Sequence, residues 1–205
     1  MAYKRSLRKR DAVEGAFAEA FESLIVDDGI PYQRVTASAV CRKADISRQT
    51  FYRHFAGVAN VLDVLAAEHA RELALLASNA RPPLQQFADR MVFVFAFMDE
   101  RSELLAALKR DDMLCRYLTS FWSAYPWGDE AALVIGDDEI GQWLPIFATG
   151  ALSSMISDRV GHEDEYSPEE MGRIMEGITR RAPELIAYAG PLEAPPEEDA
   201  SEAAD

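Results

Sequence analysis

Apolar residues recur along this chain at intervals of three and four rather than two, the period of helices that pack by one face, and strand-like alternation is almost absent. The pattern predicts an all-helical fold. Val13, Phe17, Ala20, Phe21, Leu24 and Ile25 form one stripe, and Asp27-Asp28-Gly29-Ile30-Pro31 follows with a glycine suited to end a helix and a proline that cannot continue it. The first helix is expected over residues 6–28. Thr36 precedes a short helical segment, Ala37 to Ala44, and Ser47 precedes another; each hydroxyl can accept from the free amides of a first turn. Helices of about eight residues bury too little to stand alone, so both must pack on the first. Val40, Cys41, Ala44, Ile46, Phe51 and Phe55 supply that small core.

Val61, Leu62, Leu65, Ala66, His69, Leu73 and Leu76 then mark a long fourth helix from Val58, stopped near Ser78-Asn79-Ala80-Arg81-Pro82-Pro83. Further helices are expected at 84–98, 101–110 and 112–125, followed by a loop at Pro126-Trp127-Gly128-Asp129. Two last segments, 138–160 and 168–188, carry Pro145 and Pro183 inside them, which should kink or interrupt them. Ser167, followed three residues later by Glu170 and with Pro168 at the first helical position, reads as a capping box. The end of the chain, residues 191–205, is proline-rich, acidic and poor in bulky apolar residues, a composition that favours disorder.

Charge sharpens this picture. The chain carries −14, yet residues 1–54 hold 10 Lys and Arg against 7 Asp and Glu, so the head stands at +3 and the rest at −17. A basic head on an acidic body fits polyanion binding by the head, and it also fits an ordinary solvated surface. No run reaches the length of a membrane span, and the basic N-terminus MAYKRSLRKRD lacks the apolar stretch of a secretory signal, so a cytoplasmic location is expected. Cys41 and Cys115 are too few and too far apart for a disulfide framework or zinc cluster, and both are expected to be buried.

Two short helices on a tight turn behind a basic first helix form a helix-turn-helix, in which the second lies in the DNA major groove. With Phe51 and Phe55 facing the core, a helical wheel turns Gln49 and Arg53 away from it and leaves Thr50 and Tyr52 at the flanks. Gln pairs bidentately with adenine and Arg with guanine, while Thr and Tyr hydroxyls suit phosphate oxygens. Ser47 and Arg48 offer free amides and a cation at the helix N-terminus. Any one of these residues alone is explained by solvent exposure; the set, with its caps and spacing, points to DNA.

The run TASAVCRKADISRQTFYRHF, Thr36 to Phe55, resembles the helix-turn-helix of the tetracycline-repressor (TetR) family of bacterial transcriptional regulators. The family's capping Thr, aliphatic, Ala-Gly turn, aliphatic-Ser pair, Thr, Tyr, His and Phe fall on Thr36, Val40, Ala44-Asp45, Ile46-Ser47, Thr50, Tyr52, His54 and Phe55. The resemblance covers about the first 60 residues. It implies DNA contacts from Thr36, Ser47, Arg48, Gln49, Thr50, Tyr52, Arg53 and His54, and a two-domain plan of about nine helices. On that plan residues 1–56 are the DNA-binding head, 57–190 an effector-binding and dimerisation body, and 191–205 a disordered acidic tail. Two departures stand out. Asp45 replaces the turn glycine, and Asp tolerates a left-handed backbone. Val58 stands where members commonly carry a phosphate-binding lysine, for which the arm Lys4 to Arg10 can compensate.

The resemblance further implies a homodimer on a palindromic operator, released by a small-molecule effector that acts through the fourth helix. Two stripes suit a dimer face: Ile140, Trp143, Leu144, Phe147, Ala151, Ser154 and Met155, and Met171, Ile174, Met175 and Ile178. Both equally suit the chain's own core. Phe87, Met91, Phe95, Met98, Met113, Tyr117, Phe121 and Trp122 are the candidate effector pocket, with Arg116, Tyr117 and Thr119 as polar contacts, although aromatics at helical spacing also make plain core. No cofactor is expected. His54, His69 and His162 form no metal motif, phosphate-binding glycine loops are absent, and the acidic pairs, Asp111-Asp112 among them, fall at helix ends where turns and caps explain them. An enzyme is not expected. The alternative to a repressor is a helical interaction module of the same fold that has weak or no DNA binding.

Overall fold

The computed structural model describes residues 2–80, 87–126 and 139–188, with side chains for 12–80, 88–126, 146 and 149–181. Among the described residues there are nine α-helices and no strand. They are α1 (Ala2–Val26), α2 (Ala37–Ala44), α3 (Arg48–His54), α4 (Val58–Asn79), α5 (Phe87–Asp99), α6 (Ser102–Arg110), α7 (Leu114–Ala124), α8 (Glu139–Arg159) and α9 (Pro168–Tyr188), with a 3-10 turn, Tyr32–Arg34, between α1 and α2. The all-α class and the short α2 and α3 are as the hydrophobic pattern predicts.

The first helix closes as its sequence demands. Gly29 takes φ +62°, a left-handed backbone that costs glycine nothing, and the Ile30 N–H returns to the Leu24 carbonyl at 2.9 Å. Phe17, Phe21, Leu24 and Ile25 of the predicted stripe are buried, and α1 packs against α2, α4 and α6. α4 packs on both sides: Val61, Leu62, Leu65, Ala66, Ala70 and Leu73 are all buried, between α1 on one side and α7 on the other. Leu76, expected in the same stripe, is 44 % exposed, because by its last turn α4 has run past the helices that cover it.

α5 and α9 pack closely. At Gly172 an added Cβ would meet Val92 Cγ2 at 2.6 Å and the Ala88 carbonyl oxygen at 2.9 Å, so the absence of a side chain lets α9 approach the α5 backbone. The capping box at the start of α9 forms in full, with Ser167 N–H donating to Glu170 Oε2 (2.8 Å) and Glu170 N–H to Ser167 Oγ (3.2 Å).

Three expectations need correction. Pro145 and Pro183 do not interrupt α8 or α9, which are continuous through both; a proline deletes one ladder bond, and the turns on either side carry on. Cys115 is exposed, on the outer side of α7, whereas Cys41 is buried as expected. The α9 stripe is also divided rather than single. Met171 and Met175 are buried, while Ile174 and Ile178 are 38 % and 48 % exposed. On α8, Ala151 and Met155 are half-buried and Gly150 and Ser154 exposed. The arm Lys4 to Arg10 is part of α1, which begins at Ala2 rather than at residue 6; its side chains, those of Ile140, Trp143, Leu144, Phe147 and Phe87, the loop from Trp127 and the tail 191–205 lie outside the described residues.

Candidate nucleic-acid interface

The head is built from its caps inward. Thr36, in extended backbone, accepts the Ala39 N–H on Oγ1 at 3.1 Å and so starts α2. Asp45 then takes φ 54°, ψ 37°, a left-handed turn that glycine adopts most readily and Asp tolerates, and its N–H bonds back to the Arg42 carbonyl. Ser47 accepts the Thr50 N–H on Oγ at 3.1 Å, and its hydroxyl lies 3.0 Å from that of Thr50. Both sequence-predicted caps are therefore made.

What holds α3 in place is aromatic. Phe51 and Phe55 are 0 % and 4 % exposed, and both meet the fully buried Phe17 edge-on, with centroids at 5.3 and 5.6 Å. Their burial fixes the opposite face: Arg48, Gln49, Tyr52 and Arg53 are exposed, Tyr52 by 55 %. Thr50 is half-buried and engaged with Ser47, while Thr36 is exposed at the other end of the motif. His54 does not join this face. Its side chain is only 9 % exposed, and Nδ1 lies 3.1 Å from Glu14 Oε1 on α1, so it secures the end of α3 to α1. A helical wheel cannot foresee this, because Glu14 lies 40 residues upstream. Val58, at the start of α4, is partly buried against the core.

In the body, Met91, Phe95, Met98, Tyr117, Phe121 and Trp122 are buried and Met113 half-buried. Phe121 is the hub, with the Trp122 ring edge-on at 4.9 Å and the Phe97 and Tyr117 rings at 6.3 and 6.2 Å. Phe95 and Met98 line a void of about 10 Å³, room for a single water. The polar candidates separate. Tyr117 points inward, its hydroxyl 2.8 Å from His69 Nδ1 on α4, and burial pushes its pKa far above the usual phenol range, so it stays protonated. Arg116 and Thr119 are exposed; Thr119 bonds its own helix at the Cys115 carbonyl, and Arg116 reaches Asp63.

Between α4, α7 and the turn before α2 lies a polar network that sequence reasoning missed. Asp63, on the second turn of α4, accepts from Arg116 Nε (2.9 Å) and Nη2 (2.6 Å), from Ser120 Oγ (2.9 Å) and from Asn60 Nδ2 (3.5 Å). Burial pushes the Asp63 carboxyl up, but these bonds outweigh it and hold the group below the ordinary aspartate range. Asp111, in the turn between α6 and α7, accepts the Tyr32 N–H at 2.6 Å, and its backbone carbonyl receives Gln33 Nε2 at 3.4 Å. The acidic pair does make a turn, with Asp112 at φ 58°, and the Asp111 carboxylate serves a segment 79 residues away as well as pairing with Arg110 of its own helix at 3.6 Å.

At the far end Arg159, 7 % exposed, grips Asp99 through Nε (2.9 Å) and Nη2 (2.6 Å) and also donates to the carbonyls of Glu163 and Tyr166. Beside it a groove of about 470 Å³ runs between the end of α8 and the start of α9, lined by Met155, His162, Tyr166, Met171 and Ile174. His162 Nδ1 lies 3.0 Å from the Asp158 carbonyl oxygen and is exposed. Among the described residues no helix is long and apolar enough to cross a membrane.

No protein-family model matches the chain, and no curated protein sequence matches it. Among solved structures it is similar to the dihydroxyacetone kinase operon activator DhaS, with a TM-score of 0.48 and 15% identity, over 86% of this chain and 95% of that one.

Proposed function

We propose that the protein is a DNA-binding transcriptional regulator of the TetR kind that reads a palindromic operator as a homodimer and responds to a small-molecule effector. The observation that carries this reading is α3 itself. It is a short helix capped by Ser47, anchored by Phe51 and Phe55 on Phe17, and it presents Arg48, Gln49, Tyr52 and Arg53 outward together. A helix presented this way reaches base edges with Gln49 and Arg53, and phosphates with Tyr52, Arg48 and the open amides after Ser47. Thr36 and Thr50 contribute through the caps, and His54 acts from behind by fixing α3 to α1.

Exposed Ile146, Ile174 and Ile178, with open space at Gly150 and Gly177, supply the dimer surface on α8 and α9. The effector belongs among Met91, Phe95, Met98, Met113, Tyr117, Phe121 and Trp122, with Phe87. Because the described members of this cluster are closely packed, a ligand enters only by parting them. Parting them displaces α7 and, through Tyr117 and His69, α4. A ligand shifts the heads only to the extent that it prefers one arrangement over the other.

Electrophoretic shift with the DNA upstream of the protein's own gene tests the central claim. Retardation of a palindromic fragment that weakens steeply with salt supports it. No shift at low salt with any palindrome from that region refutes it and favours the interaction-module reading. Thermal shift against a metabolite panel tests the effector step, and a ligand that stabilises the protein without changing DNA affinity contradicts it.

A further inference from the structure

The Asp111 carboxylate is out of place for its own helix. It stands at the C-terminal end of α6, where unpaired carbonyls make an anion unfavourable. It is nevertheless 9 % exposed, and burying a carboxylate is costly unless donors meet it. Two groups meet it: the Tyr32 N–H, the first amide of the 3-10 turn, donates to Oδ2 at 2.6 Å, and the exposed Arg110 guanidinium stands 3.6 Å from Oδ1. That turn is internally closed by Arg34 N–H to Pro31 O (2.8 Å) and Val35 N–H to Tyr32 O (3.0 Å), and Thr36 caps α2 directly after it. Four residues of fixed backbone therefore separate the grip of Asp111 from the first residue of α2. The Tyr32 ring meets Phe21 of α1 edge-on at 6.1 Å, which leaves the turn little freedom to swing.

A second arm joins α7 to α4, near the Tyr32 side chain. Asp63 of α4 takes three bonds from α7, two from Arg116 and one from Ser120. Further along, Tyr117 meets His69. α7 is thus tied to α4 at two heights and, through the turn that begins it, to the segment that starts the helix-turn-helix.

We infer that Asp111, with the Asp63–Arg116 pair, forms a clasp that fixes the helix-turn-helix to α7, so that α7 as well as α4 sets the orientation of the DNA-reading helix. Asp111 is on this account a positioning residue. It touches no DNA, and it restricts which half-site separations the dimer accepts. The inference rests on the DNA-binding reading above.

The test uses the full-length chain as wild type, Asp111→Ala, Asp111→Asn and Arg116→Ala. Asparagine keeps an oxygen for the Tyr32 N–H and serves as the rescue. The DNA is the palindrome that wild type selects from a random pool, and two versions with one base pair added or removed between half-sites, which turns one half-site by about 34° relative to the other. Wild type is expected to lose about tenfold or more in affinity on the altered spacings, Asp111→Ala and Arg116→Ala only about threefold, and Asp111→Asn about as much as wild type. The ratio between spacings is insensitive to the fraction of protein folded, so simple destabilisation does not imitate the effect. An unchanged ratio in Asp111→Ala or in Arg116→Ala overturns the clasp.

Amide exchange without DNA separates this inference from the function it rests on. Asp111→Ala is expected to speed exchange over residues 32–44 while the amides of α5 and α9 keep their rates, and Asp111→Asn to restore the wild-type rates. If wild type selects no DNA, the DNA-binding reading fails and the exchange data alone decide the clasp. Exchange that is unchanged, or accelerated evenly through the molecule, overturns it.

Discussion

Gly172 offers the sharpest test of how α9 is placed. A methyl group there would sit 2.6 Å from Val92 Cγ2, 2.9 Å from the Ala88 carbonyl oxygen and 3.4 Å from the Val92 nitrogen. Two of these three atoms are α5 backbone, so no change of rotamer relieves the contact. Non-bonded carbons settle at about 3.5–4.0 Å, and α9 must therefore back away from α5 by roughly 1 Å along the seam that Met171 and Met175 help to bury. Overpacking of this kind costs about 1–3 kcal/mol, and the better helix propensity of alanine returns about 1 kcal/mol. Gly172→Ala is expected to destabilise by up to about 2 kcal/mol, a fall in Tm of up to about 8 °C for a chain of this length. Gly177 lies on the same helix with nothing within 4 Å of an added Cβ. Gly177→Ala is expected to raise Tm by about 2–4 °C through propensity at a protein concentration low enough to keep the proposed dimer face open. Thermal denaturation of both variants at one protein concentration makes the comparison. Equal shifts of the same sign would refute the close approach of α5 and α9.

Ser47→Ala removes the α3 cap and should cost about 1 kcal/mol, with amide exchange rising first at Thr50 and its neighbours. Gln49→Ala should relax preference at one base position by about 1–3 kcal/mol while leaving the salt slope of binding unchanged; a uniform loss on all sequences would make Gln49 a phosphate contact instead. Asp63 has a pKa held below its unfolded value, so the folded protein binds fewer protons there than the unfolded chain. Its contribution is complete above the unfolded pKa of about 3.9 and is lost as pH falls through the folded pKa. The stability gap between wild type and Asp63→Asn should therefore narrow from pH 6 towards pH 2.5, as urea denaturation can measure. Arg159→Met leaves Asp99 facing apolar surroundings and should cost about 3 kcal/mol. Adding Asp99→Leu should recover much of that in the same assay, and no recovery would mean that the bonds to the Glu163 and Tyr166 carbonyls carry the effect.

The parts of this fold that could be read ahead of the structure are those fixed by neighbours in sequence. Thr36, Asp45, Ser47 and the pair Ser167 and Glu170 act within three or four residues of themselves, and each does what its side chain allows. Phe51 and Phe55 were legible for the same reason, since one helical turn sets which way both point. The outward face of α3 then followed, apart from His54. Its partner Glu14 and the partner of Asp111, Tyr32, are 40 and 79 residues away, and no local pattern pairs them. The divided stripe of α9 failed for a different reason. Met171, Ile174, Met175 and Ile178 share one broad apolar arc, and only the position of α5 decides which half of the arc is covered. Periodicity finds an apolar face but does not say how wide its partner is.

The acidic residues of the head also read differently once placed. Counted by charge, Glu14 and Asp28 weaken a basic motif. In the fold Glu14 holds His54, and Asp28 takes Lys43 of α2 at 2.9 Å. Both anions tie the helix-turn-helix to α1 or to the turn that ends it. They stiffen the motif without covering the face that α3 presents. Arg42, Arg48 and Arg53 remain exposed, and Asp111 and Asp63 repeat the arrangement at the junction with the body. Several carboxylates in and around the helix-turn-helix thus serve as struts behind exposed arginines, so net charge alone does not describe how charge is distributed over this part of the chain.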